Sequence, residues 1–136
     1  MDSSFRPFFD FIEKHHILTL ATVDSTGNPQ CATLFYAFDE DALCFIVASD
    51  TKTEHIQNAL QNNRIAGAIA LETKTVGKIE GLQFKGELLP CKQSALYFEA
   101  FPYARAMRPT LWTIRLKSIK LTDNRLGFGK KLTKEL

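Results

Sequence analysis

Thr51-Lys52-Thr53 combines two hydroxyls with an ammonium, a set that can hold an anion. The three residues open an amphipathic segment. Free backbone N–H groups and the helix dipole favour a negative group at such a point, and Lys52 adds a full charge. A plainer reading uses the same residues: Thr51 with Glu54 three places on matches a capping box, and Lys52 is solvated. His55 is close enough to add a second basic group. Tyr97, Tyr103, Arg105 and Arg108 form a later cluster. Arg105 and Arg108 either bind an anionic substrate or are exposed arginines near a helix end. His15 and His16 are adjacent, so their side chains diverge, and they read as favourable charge at a helix C-terminus rather than as a metal site. Leu126-Gly127-Phe128-Gly129-Lys130-Lys131 is glycine-rich and basic, as a backbone nest for phosphate is. It does not match a P-loop, and the preferred reading is a tail that docks Phe128 on the barrel or on a partner subunit. Cys31 is a lone candidate thiol, and no Ser-His-Asp or Cys-His order can be read.

The elements that position these residues follow from periodicity. Phe5, Phe8, Phe9 and Ile12 recur at helical spacing and predict a helix over 4–14, capped by Ser3 or Ser4, with Pro7 in its first turn. The pattern then changes to strands over 17–23, 30–38 and 42–48, joined by short polar turns as an antiparallel meander. A helix over 52–61 turns Ile56, Ala59 and Leu60 inward and ends at Asn62-Asn63. Strands over 64–71 and 76–89 come next. Gly67 in the first of them suggests a bulge or a close backbone approach. Gly77, Gly81 and Gly86 in the second suit a barrel that must bend. Short helical pieces over 93–101 and 103–107 flank Pro102. A strand over 111–116 contains Trp112, read as core or interface, and a further alternation involves Ile119 and Leu121. About six strands with hairpin connections point to a small closed or partly open barrel.

Length and composition restrict the function classes. A chain of 136 residues fits one domain over 1–136 and buries enough surface to need neither disulfide nor metal. Eleven phenylalanines imply a bulky core or a buried interface. The net charge of +2 is too small to indicate nucleic acid or an anionic membrane, and Lys130, Lys131 and Lys134 read as a solvated end. The three cysteines lack metal or redox spacing, as expected of reduced thiols in a cytoplasmic protein. No apolar run reaches the roughly 20 residues of a membrane helix, and the acidic start Met1-Asp2-Ser3-Ser4 is not a secretion signal.

Several segments carry a resemblance to a family. Leu20-Ala21-Thr22-Val23 to Gly27-Asn28-Pro29, Leu34-Phe35-Tyr36, and Cys44-Phe45-Ile46-Val47 to Thr51-Lys52-Thr53 resemble the pyridoxamine 5'-phosphate oxidase-like FMN-binding split-barrel superfamily. Within it, Gly81-Leu82-Gln83-Phe84-Lys85-Gly86-Glu87 and the run from Thr122 to Lys131 look closest to a small uncharacterised bacterial subfamily. The resemblance implies a mainly β fold with helices (α+β): a six-stranded antiparallel split β-barrel with an N-terminal helix, one inserted helix and short late helical pieces. It implies FMN lying against the backbone of Ala32, Thr33 and Leu34. Ile46, Val47 and Ala48 then supply a further edge, and Thr51, Lys52 and Thr53 hold the phosphate. It also implies a homodimer with the flavin at the subunit interface, and a roof over the flavin from the late helical segment. Two positions depart from the pattern: Cys31 stands where oxidase-type members carry an arginine, and Thr53 replaces a second basic residue. Each charge-assisted contact is typically worth about 1.5–3 kcal/mol, so these losses weaken the hold on a phosphate.

The expectation is therefore an FMN-binding homodimer, acting as a flavin-dependent oxidoreductase on a small molecule, with the hydride chemistry carried by the flavin. The rival is a non-enzymatic split-barrel module whose degenerate site binds haem, another ligand or a protein partner. A small-barrel nucleic-acid binder is disfavoured, because the sequence lacks a basic-aromatic stripe.

Overall fold

The computed structural model describes residues 2–127 and 129–136. The expected docking of Phe128 therefore lies outside the described residues.

A short 3-10 turn precedes helix α1 (Arg6–Lys14), and Asp2, not Ser3 or Ser4, caps that turn by accepting the Ser4 N–H at 2.7 Å. Phe8, Phe9, Phe11 and Ile12 of α1 are buried. They meet an aromatic chain that crosses the core through Phe9–Phe38, Phe38–Phe45 and Phe45–Phe84, with ring centroids 5.0 to 5.5 Å apart. Burying each such ring stabilises the fold by roughly 1.5–3 kcal/mol, which accounts for many of the phenylalanines.

Strands β1 (Ile17–Val23) and β2 (Pro29–Asp39) form a hairpin. Its turn is held by Asp24, whose carboxylate accepts the backbone N–H groups of Thr26 at 2.8 Å and Asn28 at 2.9 Å. β3 (Cys44–Ala48) starts two residues later than its pattern suggests, because Leu43 adopts a left-handed φ of 54° that ends the turn. α2 (Glu54–Gln61) buries Ile56 and Ala59. It also buries Asn58, whose amide donates to Thr22 at 3.3 Å.

β4 (Arg64–Ala70) leads to a 3-10 turn at Val76–Lys78, where strand was expected, and then to β5 (Glu80–Pro90). α3 (Ala95–Ala100) and a 3-10 segment at Pro102–Met107 precede β6 (Leu111–Asp123). β6 is one long strand rather than two short ones. β7 (Lys131–Glu135) pairs with its second half and was expected to be a solvated end.

The sheet order is β3-β2-β1-β4-β5-β6-β7, and β3 also pairs with β6. Six strands thus close into an antiparallel barrel, and β7 extends it along the far half of β6. Two glycines are required by contact. A Cβ on Gly67 would lie 2.3 Å from the Phe84 ring and 2.5 Å from the Thr19 carbonyl oxygen. A Cβ on Gly86 would lie 2.3 Å from the Arg115 carbonyl oxygen, at the bulge between Lys85 and Gly86. No helix among the described residues is long and apolar enough to cross a membrane.

Candidate functional site

The barrel is split where β2 and β3 part. Their ladder runs from Asp39/Cys44 to Tyr36/Val47 and stops there. β2 continues back to Pro29 against β1 alone, so its opposite edge has no strand partner among the described residues. Backbone groups in an antiparallel ladder alternate in direction. The Tyr36 N–H donates to the His16 carbonyl at 2.9 Å, so even-numbered residues of β2 turn toward β1. Odd-numbered residues, Cys31 and Thr33 above all, therefore aim an N–H and a C=O at the open edge. On β3 the Ser49 N–H donates to the Thr110 carbonyl at 3.0 Å, which turns the backbone of Ala48 toward the same cleft.

This register redistributes the expected ring-binding residues. Thr33 is exposed and its main chain faces the opening. Ala32 and Leu34 are half-buried, and their main chains pair with Leu20 and Leu18. Val47 is fully buried in the core, with Tyr36 on one side and Trp112 on the other, so it is not at the cleft. The signal that points to Cys31, Thr33 and Ala48 is the parity of the ladder, which requires knowing where β3 ends.

The triplet expected to hold a phosphate is also arranged differently. Thr53, not Thr51, is the N-cap of α2: its hydroxyl accepts the Ile56 N–H at 3.4 Å, and the helix starts at Glu54. Thr51 is exposed, and its carbonyl accepts from the Gln57 amide at 2.7 Å. Lys52 is exposed, and its backbone N–H is taken by the Asp50 carboxylate at 2.7 Å. Glu54 accepts the Gln30 side-chain amide at 3.0 Å, tying α2 to β2. His55 packs inward, with Nε2 2.6 Å from the Ser49 hydroxyl, and burial lowers its imidazole below the ordinary range. Burial thus disfavours the charged imidazolium. The indole of Trp112 holds the same turn by donating to the Ser49 carbonyl at 2.9 Å, so Trp112 is core.

The late segment roofs the outer side of β2 and β3. Tyr97, Phe98 and Phe101 pack there with Ala37 and Ile46, and Phe101 lies 5.4 Å from Phe35. Arg105 stacks on Phe98 at 4.7 Å, and Arg108 is exposed with a left-handed φ of 48°. Neither has a carboxylate partner among the described residues. Next to Cys31 a shallow groove of about 450 Å³ runs over the outer barrel face, lined in part by Thr19, Ala21, Ala66 and Ala68. No group of three potential metal ligands is brought together among the described residues.

The arrangement fits one half of FMN. Free strand-edge donors and acceptors suit the polar edge of a planar heteroaromatic ring. The phosphate half has fewer free groups to hold it, because the Thr53 hydroxyl already caps α2 and the Lys52 N–H is already taken by Asp50.

Comparison with known proteins places the chain among relatives. Residues 7–116 match the family model described as pyridoxamine 5'-phosphate oxidase. The UPF0306 protein YhbP of Escherichia fergusonii is 41% identical, over 90% of this chain and 86% of that protein. Among solved structures, a heme binding protein from Mycobacterium smegmatis is 15% identical with a TM-score of 0.80. That alignment covers 99% of this chain but 59% of the Mycobacterium chain. HutZ, described as the heme storage protein from Vibrio cholerae, is 17% identical with a TM-score of 0.67, over 82% of this chain and 87% of HutZ. At these identities the two structures establish a shared fold.

Proposed function

Because this chain belongs to the pyridoxamine 5'-phosphate oxidase family, we propose that it holds a flavin along the open edge of β2, at the interface of a homodimer. FMN is the form that the family resemblance implies. The observation that carries this reading is the edge of β2 at Cys31 and Thr33, which has no strand partner among the described residues. A cleft of main-chain donors and acceptors recognises the edge of an isoalloxazine without help from any particular side chain. Any hydride chemistry belongs to the bound flavin, and the chain supplies position and exclusion of water.

Haem is a second reading, supported by the likeness to the mycobacterial heme binding protein and to HutZ. Arg105 and Arg108 then serve as partners for propionates rather than for an anionic substrate.

One experiment separates the two. Freshly purified protein is examined by visible absorption and then titrated with FMN and with haemin at low salt. Flavin bands or quenched FMN fluorescence supports the first reading. A Soret band that saturates at one haem per chain or per dimer, with no FMN response, replaces it with the second.

A further inference from the structure

The open edge of β2 has a wall beside it, and that wall is short of positive charge. The 49–53 turn continues directly from Ala48 and leads into α2, where Glu54 holds the Gln30 amide at 3.0 Å. It thus spans the gap from the end of β3 to Gln30, alongside the open edge. The turn brings one ammonium, Lys52, and one carboxylate, Asp50. Its Lys52 N–H and Thr53 hydroxyl are already engaged, by Asp50 and by the cap of α2. An anionic group resting there needs a counter-charge from another element.

The start of β6 is bonded to this turn twice. The Ser49 N–H donates to the Thr110 carbonyl at 3.0 Å, and the Ser49 carbonyl accepts the Trp112 indole N–H at 2.9 Å. Arg108 stands two residues before Thr110, at most about 7 Å along the chain. Among the described residues no carboxylate and no aromatic ring lies against its guanidinium. Arg105 differs, because its guanidinium is stacked on Phe98 at 4.7 Å.

The backbone also sets Arg108 apart. It has φ 48° and ψ 55°, the left-handed conformation in which helical segments usually end on glycine. Pro109 follows, and a proline disfavours helical backbone in the residue before it. The Arg108 N–H, donated to the Arg105 carbonyl at 3.2 Å, holds the conformation in place. Leu43 is the other non-glycine residue with positive φ among the described residues, and its side chain packs on the core. Arg108 is exposed, so packing does not account for a long cationic side chain in a glycine's place. Strain of this kind concentrates where a ligand is clamped.

We propose that Arg108 is the missing counter-charge and anchors the phosphate of FMN bound along β2. The proposal rests on the flavin reading above. The ring is held by the strand edge, and the tail phosphate by a guanidinium that the 108–112 segment fixes beside Ser49. Arg105, already stacked, contributes less.

The test is a set of fluorescence titrations with FMN and with riboflavin, which has the same ring and no phosphate. They are run at low ionic strength on the full chain and on R108Q, R108G and R105Q. Wild-type protein should bind FMN more tightly than riboflavin. R108Q and R108G should each raise the FMN Kd by about five- to thirty-fold and leave the riboflavin Kd unchanged. Glycine takes the left-handed conformation without steric cost, so R108G should lose FMN affinity without losing thermal stability. An FMN Kd that stays at the wild-type value in R108Q overturns the assignment and leaves the flavin reading intact. A greater loss in R105Q than in R108Q also overturns it. A thermal midpoint lowered in both Arg108 variants makes the side chain structural and overturns it too. No response of the wild-type chain to either compound overturns the flavin reading together with the anchor.

Discussion

Tyr36 shows how much one hydroxyl can decide inside this barrel. Its ring is buried against Phe45, and its O–H donates to the Ile12 carbonyl at 2.5 Å, pinning α1 to β2. Phenylalanine at position 36 keeps the ring and leaves that carbonyl unpaired. We expect Tyr36→Phe to lower the unfolding free energy by about 1–2 kcal/mol in urea titrations. Burial also raises the phenol pKa above its ordinary range, so the fold favours the protonated form. Its stabilising contribution is therefore complete below the unfolded value of about 10 and is lost as pH rises beyond it. The native chain should lose stability more steeply above pH 10 than the Tyr36→Phe variant. Parallel profiles for the two proteins would remove Tyr36 from the account of alkaline unfolding.

At the scale of elements, the start of α2 offers a direct choice between two threonines. Thr53 has extended backbone angles of φ −66° and ψ 151°, and its hydroxyl reaches Ile56. Thr51 lends only its carbonyl, to Gln57. Thr53→Ala should cost about 1 kcal/mol of stability, whereas Thr51→Ala should be nearly neutral. The reverse order in chemical denaturation would restore Thr51 as the cap.

The sequence was ambiguous here because both threonines satisfy the local rule. Asp50 settled it by capturing the Lys52 N–H and delaying the first helical turn. β6 was legible as two pieces, since the bulge opposite Lys85 and Gly86 shifts the register and interrupts its alternation. The lysines of β7 obscured a strand whose apolar member, Leu132, packs on the core. Barrel strands and the inserted helix were readable from period and turn chemistry. The open edge was not, because an unpaired backbone group is defined by the strand that fails to reach it.

For the whole molecule, an exposed apolar pair bears on the proposed dimer. Ile17 and Phe35 are direct cross-strand partners on the outer face, 48% and 54% exposed. Contiguous apolar surface left in water is a feature of association surfaces. Light scattering at micromolar concentration should report twice the 15.4 kDa of one chain. Phe35→Glu should shift the protein to monomer while retaining its far-ultraviolet dichroism. A monomeric native protein would remove the subunit interface from the proposed function.

The pairing of β3 with β6 also matters before the fold is complete. Ser49 and Trp112, which meet at the end of that pairing, are 63 positions apart along the chain. During synthesis, β1, β2 and β3 leave the ribosome well before the strand that covers β3. Through that interval the nascent meander carries a bare, strongly apolar edge at Cys44–Ala48, the kind of edge that recruits the same strand from a neighbouring chain. Crowded polysomes and rapid overproduction are thus the conditions under which this barrel is most exposed to aggregation, however stable it is once closed.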